Sequence, residues 1–155
     1  MQLHFPWLGK TRQDYLDQGI RDYAGRLERY VPLRIEVLRV SGSEREADEV
    51  LRRREGGGLL AASQGASLRV ALAPEGRELD SPALARLICD WEMQGQRTIS
   101  FLVGGHLGLD PEVVRSSGLV LSLSRLTFTH EMSRLLLLEQ LYRAWSIKAG
   151  HAYHK

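Results

Sequence analysis

The stretch over residues 99–128 most constrains how this chain can fold, because it contains two short apolar runs that each open into a loop. The first run, residues 99–103, passes straight into Gly104-Gly105, and the second, residues 118–123, passes into a loop rich in serine and leucine. Runs of this length and composition predict β-strands. Ligands of open α/β sheets bind at the carboxyl ends of strands, so the two loops predict a pocket lined by backbone.

Short apolar runs and helical patterns alternate along the rest of the chain. Further strands are predicted over residues 2–8, 33–40 and 67–72, the last ending in a turn-rich loop at residues 73–77. Helices are predicted from Arg12 to about Tyr30 with Thr11 as the cap, from near Glu44, from Asp80-Ser81-Pro82 to about Gln94, from Asp110-Pro111 to about Ser116, and from about Glu131 to Lys148. This alternation predicts one α/β domain over residues 1–155, with a parallel sheet covered by helices on both faces.

Three consecutive glycines, Gly56 to Gly58, interrupt the second helical pattern. Each glycine costs a helix roughly 1 kcal/mol relative to alanine. We therefore expect a break or a weak segment at this point. The arginines at residues 52–54 are interpreted as a solvated helix face.

Composition excludes several classes of protein. No apolar run reaches 18 residues, and the N-terminus lacks the pattern of a signal peptide, so we expect no membrane span and a cytoplasmic location. The single cysteine, Cys89, excludes an intrachain disulfide and fits a small buried thiol. The chain has no second cysteine, and no His or Glu partner stands at ligand spacing, so no metal site is predicted. The net charge of +2 permits an RNA partner but does not by itself indicate one.

The glycine-rich loop at residues 104–109, GGHLGL, follows a strand and opens a helix, as a nucleotide-binding loop does. It matches neither the dinucleotide fingerprint nor the P-loop, and a plain tight turn is an equal alternative. The second loop favours a ligand site, because Ser122, Ser124 and Thr127 alternate with large apolar residues. Such a loop suits adenine, whose ring needs apolar faces and whose edge needs main-chain partners.

Polar residues that could carry chemistry lie on the last helix and in the tail. Glu139 and Arg143 stand at i, i+4, and their spacing alone favours a helix-edge ion pair over a functional carboxylate. His151, Tyr153 and His154 cluster within the last five residues. These side chains can stack on RNA bases, and histidine can exchange a proton near neutral pH. The alternative is a frayed terminus without a role.

Four segments, in this order, closely resemble the bacterial SPOUT-class methyltransferases: GGHLGL at 104–109, LSLSRLTFTH at 121–130, LLEQLYRAWSI at 137–147 and HAYHK at 151–155. Within that class the chain is similar to the family that methylates N3 of a pseudouridine in 23S ribosomal RNA. The resemblance covers the whole chain. It implies a parallel-sheet α/β fold with a C-terminal deep trefoil knot, S-adenosylmethionine as cofactor, the ribosome as partner, and a homodimer.

The resemblance also implies which residues form the site. The cofactor would be held by Leu72, Ala73, Pro74, Gly104, Gly105, Leu123, Ser124, Arg125, Leu126, Thr127, Phe128 and Thr129. The RNA base would be surrounded by His130, Glu139, Arg143, Tyr153 and His154, with His154 or Glu139 as the candidate base.

The chain departs from the family pattern at two places. Thr129 stands where relatives often carry proline, and His106-Leu107 stands where they tend to carry small or polar residues. Two alternative functions stay open from the sequence. One is a non-catalytic RNA-binding or ribosome-binding protein of the same fold, and the other is a tRNA methyltransferase of that fold.

Overall fold

Five parallel strands form one sheet in the computed structural model, which describes residues 1–39, 47–151 and 153. The strands are β1 (Gln2–Leu8), β2 (Leu33–Leu38), β3 (Leu68–Glu78), β4 (Thr98–Val103) and β5 (Leu119–Ser122). Their order is β2-β1-β4-β3-β5, and every pairing between them is parallel. The predicted parallel α/β sheet is therefore confirmed.

The helices cover both faces of this sheet. They are α1 (Asp14–Leu27), α2 (Asp48–Ala62), α3 (Ser81–Met93), α4 (Pro111–Arg115) and α5 (His130–Lys148). Helix α5 packs between α1 and α3, whereas α2 contacts α4 and β1. Every residue of β4 from Ile99 to Val103 is buried, as expected for a strand that is covered on both sides. No helix in the described part of the chain is long and apolar enough to cross a membrane.

Side-chain caps fix the starts of α3 and α4. The Asp80 carboxylate accepts a hydrogen bond from the Ala83 amide at 2.6 Å, and Asp110 likewise caps α4. In both helices a proline occupies the first turn, where its missing N–H costs nothing. Helix α1 begins after Gln13 instead, and the Thr11 hydroxyl accepts a hydrogen bond from Arg134 at 3.2 Å. The prediction that Thr11 caps α1 is therefore wrong.

Helix α2 runs unbroken through Gly56, Gly57 and Gly58, so the predicted break is wrong. The reason is tertiary packing. A Cβ at Gly56 would come within 2.6 Å of the Asp110 Cβ, so glycine lets α2 approach the start of α4. Leu59, which follows the three glycines, is 1 % exposed, and its burial offsets their low helix propensity. The predicted helix start near Glu44 lies outside the described residues.

Strand β3 extends beyond the predicted strand at residues 67–72, as far as Glu78. Leu72 and Arg77 both pair with Leu121 of β5, so residues 73–76 bulge out of the ladder between them. The loop predicted at residues 73–77 is thus a bulge within a longer strand. It places backbone beside the ends of β4 and β5.

Candidate functional site

A cavity of about 360 Å³ lies where β3, β4 and β5 expose their carboxyl ends. These strands are neighbours in the sheet, so the segments that follow them meet at one place. The volume falls within the range of small-molecule sites, about 300–1,000 Å³. Ten of the twelve residues that the resemblance assigns to the cofactor line this cavity: Leu72, Ala73, Pro74, Gly104, Gly105, Leu123, Ser124, Leu126, Thr127 and Phe128.

The other two residues, Arg125 and Thr129, lie outside this lining. The Arg125 side chain is 90 % exposed and donates to the Glu78 carboxylate at 3.2 Å. The Thr129 hydroxyl accepts from the Met132 amide at 3.2 Å and so caps α5. A threonine in place of the family's proline therefore still fixes the start of this helix.

The glycine-rich loop after β4 folds back on itself. The Gly108 amide donates to the Gly105 carbonyl at 3.1 Å, and Gly108 has a φ of +78°, which favours glycine. A Cβ at Gly104 would overlap the backbone of Gly108 and Leu109. His106 and Leu107, whose place the sequence left open, lie on the wall of the cavity.

The loop after β5 is held by its own serines. The Ser122 hydroxyl donates to the Ser124 carbonyl, and the Leu126 amide donates to the Ser124 hydroxyl, both at 3.0 Å. The loop presents Leu123 and Phe128 to the cavity together with backbone. This combination can bind a flat ring on its faces and along its polar edge.

A second cavity of about 1,040 Å³ adjoins the first. The two share the residues Gly105, His106, Thr127, Phe128 and His130. Its other walls include Lys10 and Arg12, which follow β1, and Glu55 of α2. Desolvation and the nearby charge of Arg134 lower the pKa of His130. A neutral imidazole, able to accept a proton, is therefore favoured at the boundary between the cavities.

Two charged residues of α5 fix the loop that forms one wall of the second cavity. Arg134 is 1 % exposed and donates to the carbonyls of Leu8 at 2.7 Å and Gly9 at 3.2 Å. The Glu131 carboxylate accepts from the backbone amides of Arg12 at 3.0 Å and Gln13 at 3.2 Å. Burial would raise the pKa of Glu131, but these two amides, together with the charges of His130 and Arg134, outweigh burial and lower that pKa. Sequence reasoning missed both residues, although charges beside the leucines of α5 were a visible signal.

Glu139, Arg143 and Tyr153 form one cluster at the other end of α5. Arg143 donates to the Glu139 carboxylate at 2.5 Å, and the Tyr153 hydroxyl donates to the same oxygen at 3.2 Å. The Arg143 guanidinium lies 4.9 Å from the centre of the Tyr153 ring. Desolvation and a hydrogen bond with Tyr23 raise the pKa of Tyr153, so its phenol stays protonated at neutral pH. Three of the five residues predicted around the RNA base thus come together here.

This cluster does not reach the cavities of its own chain. Glu139 and Arg143 follow His130 by nine and thirteen residues on one helix. At about 1.5 Å per residue, they lie roughly 14 and 20 Å further along its axis. His154, the remaining candidate, lies outside the described residues. Within the described part of the chain, no group of three or more His, Cys, Asp or Glu side chains could hold a metal ion.

Comparison with known proteins identifies the family. Residues 1–154 match the family described as "Predicted SPOUT methyltransferase". A protein of Trichlorobacter lovleyi named ribosomal RNA large subunit methyltransferase H is 43 % identical over 155 residues, covering 99 % of each chain. The protein of that name from Desulfotalea psychrophila is 40 % identical over 148 residues, covering 96 % of this chain and 95 % of its own.

A solved structure supports the same fold. It is described as a probable methylase family protein from Haemophilus influenzae, and it superposes with a TM-score of 0.56 at 13 % identity. The match covers 99 % of this chain and 70 % of that one. Together with the matched family and the full-length relatives, this likeness means that the chain belongs to the SPOUT methyltransferase family, in the group of ribosomal RNA large subunit methyltransferase H proteins.

Proposed function

We propose that this protein is a cytoplasmic methyltransferase that uses S-adenosylmethionine to methylate N3 of a pseudouridine in 23S ribosomal RNA. One observation carries the proposal: the three segments implied for the cofactor line a single cavity of about 360 Å³. The relatives named above are ribosomal RNA methyltransferases by name, and they match this chain over almost its whole length. The alternatives without catalysis or with tRNA have no comparable support.

The residues around the cavity fit this cofactor. When bound, S-adenosylmethionine supplies a methyl group that is activated by a positively charged sulfur. Backbone N–H and C=O groups of Gly104 and of the loop at residues 122–128 would bind the polar edge of its adenine. The side chains of Leu72, Leu123 and Phe128 would contact the faces of the ring.

The target nitrogen must lose its proton before it can accept a methyl group. The N3–H of a uracil-type ring is a weak acid, with a pKa near that of tyrosine at about 10. His154 or Glu139 would accept the proton from N3, which leaves an electron pair on the nitrogen that can form a bond to the methyl group that the cofactor supplies when bound. Arg143 stabilises the negative charge that grows on the ring carbonyls, and Tyr153 orients the base.

We also propose a homodimer in which each active site combines two chains. The support is the separation of roughly 14–20 Å along α5 between the Glu139–Arg143–Tyr153 cluster and His130. The cluster of one chain would complete the cavity of its partner. Co-expression of Arg143→Ala with Gly105→Val tests this arrangement, because mixed dimers regain one intact site. Activity that stays at the level of the separate variants would contradict it.

The deep trefoil knot of the family is part of the same proposal. Its support is the strand order, because β4 and β5 flank β3 although both follow it in the chain. The chain from β3 to α5 therefore passes from one side of β3 to the other.

We further propose that the substrate is an assembled ribosomal particle. A net charge of +2 cannot supply the many phosphate contacts that bind naked RNA tightly. Protein-free 23S RNA should therefore be a poor substrate. Equal rates on free RNA and on ribosomes would refute this point.

The assignment of roles is tested by transfer of labelled methyl groups to ribosomes, with cofactor affinity measured by calorimetry. We expect Glu139→Ala, Tyr153→Phe and His154→Ala to bind the cofactor like the wild type. Loss of the general base should slow transfer by about 100-fold or more. Glu49→Ala, on the exposed surface of α2, is the matched control. Full activity in all three variants would refute the roles, and a wild type that neither binds the cofactor nor transfers methyl would refute the function.

A further inference from the structure

Glu55 of α2 is a buried carboxylate with an unused acceptor. The residue is 8 % exposed, and its Oε2 has no hydrogen-bond partner among the described residues. Burial raises the pKa of Glu55, an effect that the charges of His106 and Arg54 oppose. A buried polar atom left without a partner costs about 1–3 kcal/mol, and more when it is charged. The described residues thus leave Glu55 able to accept a hydrogen bond from a ligand.

The carboxylate of Glu55 lies against the glycine-rich loop at the boundary between the two cavities. A Cβ on Gly105 would stand 2.8 and 3.0 Å from its two oxygens, so any side chain at this position would displace the carboxylate from the loop. Glu55 lines the second cavity, whereas Gly105 and His106 line both. A group bound beside the proposed cofactor cavity would therefore meet this acceptor.

The proposed reaction places the target base in that adjoining space. Pseudouridine is joined to its ribose through carbon, so N1 keeps a hydrogen in addition to the one on N3. In uridine the ribose occupies N1, and this donor is missing. Because N3 is the methylated atom, N1–H is the ring donor that stays free for recognition.

We propose that Glu55 accepts a hydrogen bond from N1–H of the target pseudouridine and thereby selects pseudouridine over uridine. The inference rests on the proposed function and names a specificity determinant for it. Glu55 acts as a positioning residue and does not take the N3 proton. A site built to hydrogen-bond a substrate N–H rejects the analogue that lacks it, because its buried acceptor then stays unpaired.

The test compares two enzymes on two substrates. The substrates are ribosomes that carry either pseudouridine or uridine at the target position, and the readout is kcat/KM for methyl transfer. Glu55→Met removes the acceptor with a side chain of similar length that tolerates burial, and Glu49→Met is the control on the exposed surface of the same helix. We expect the wild type to prefer pseudouridine by about 10-fold or more, the ratio that one charge-assisted hydrogen bond supplies.

In Glu55→Met this preference should fall to within about threefold of unity, through a slower reaction with pseudouridine, while affinity for S-adenosylmethionine stays within about twofold. An unchanged preference, an equal loss on both substrates, or a loss of cofactor binding would overturn the inference. If Glu55→Met does not fold, Glu55→Gln decides by the same readouts, with a smaller fall because it keeps a neutral acceptor. A wild type inactive on both ribosomes would refute the proposed function itself, whereas an active enzyme whose preference survives the substitution refutes only this inference.

Discussion

Replacing Arg134 with methionine should destabilise the protein more than any exposed substitution on its helices. Arg134 is buried and donates three hydrogen bonds, to the carbonyls of Leu8 and Gly9 and to the Thr11 hydroxyl. Its guanidinium also lies 5.1 Å from the centre of the Trp7 ring. It therefore ties α5 to the segment that joins β1 to α1.

The expected magnitude follows from two opposing effects. Hydrogen bonds from a charged group contribute about 1.5–3 kcal/mol each, so three of them amount to roughly 5–9 kcal/mol. Burial of the guanidinium costs several kcal/mol, which methionine recovers. The same desolvation lowers the pKa of Arg134 to about 10. We expect a net loss of about 2–4 kcal/mol in the free energy of unfolding, which corresponds to roughly 5–15 °C in Tm.

Urea unfolding followed by circular dichroism measures this loss. The control is Arg21→Met on α1, whose side chain is 80 % exposed and pairs with Asp17 at the surface. Such a substitution should stay within about 0.5 kcal/mol of the wild type. If Arg134→Met also stays within that margin, the hydrogen bonds of Arg134 do not stabilise the β1–α1 segment.

Three further outcomes are expected. Gly56→Ala should lower the free energy of unfolding by about 1–3 kcal/mol, because the new Cβ would overlap Asp110. The Cβ of Gly57→Ala would point into open space among the described residues, so this variant should raise the free energy of unfolding by up to about 1 kcal/mol. Urea titration measures both values, and equal effects would contradict the packing of Gly56 against Asp110. Thr129→Ala should cost about 1 kcal/mol through loss of the α5 cap, and an unchanged urea midpoint would count against it. Burial lowers the pKa of His4 below its ordinary 6.5, so the unfolded state binds more protons and the stability of the protein falls as pH drops through 6.5. His4→Gln should therefore reduce the difference in Tm between pH 7.5 and pH 5.5. An unaltered difference would exclude His4 as a source of the pH dependence.

The sequence predicted the sheet and the position of the 360 Å³ cavity well because both depend on local patterns. Short apolar runs predict the strands, and the helical patterns between them predict the helices. Parallel strands bring the residues that follow them to one edge of the sheet. The loops at residues 104–109 and 122–128 could be recognised by composition. The bulge at residues 73–76 could not, because it exists only through the pairing of β3 with β5.

Other features depended on contacts between residues far apart in sequence. The glycine run in α2 suggested a break, but Gly56 packs on α4. The arginine run suggested a solvated face, and the Arg53 side chain is 78 % exposed, yet the adjacent Glu55 is buried. Nothing local to Arg134 reveals that its partners lie more than 120 residues earlier. The residues predicted around the RNA base looked like one site, yet α5 separates His130 from Glu139 and its neighbours. The spacing of residues on α5 gives their separation along the helix axis, but it does not show whether the residues of one site come from one chain or from two.

Mass spectrometry of ribosomal RNA from a strain that lacks the gene for this protein is the decisive test of the proposed methylation. One pseudouridine of 23S RNA should lose a single methyl group in this strain. The wild-type gene should restore it, whereas the variant of Glu139, Tyr153 or His154 with the lowest activity in vitro should not. An unchanged set of modified nucleotides in the deletion strain would refute the proposed function.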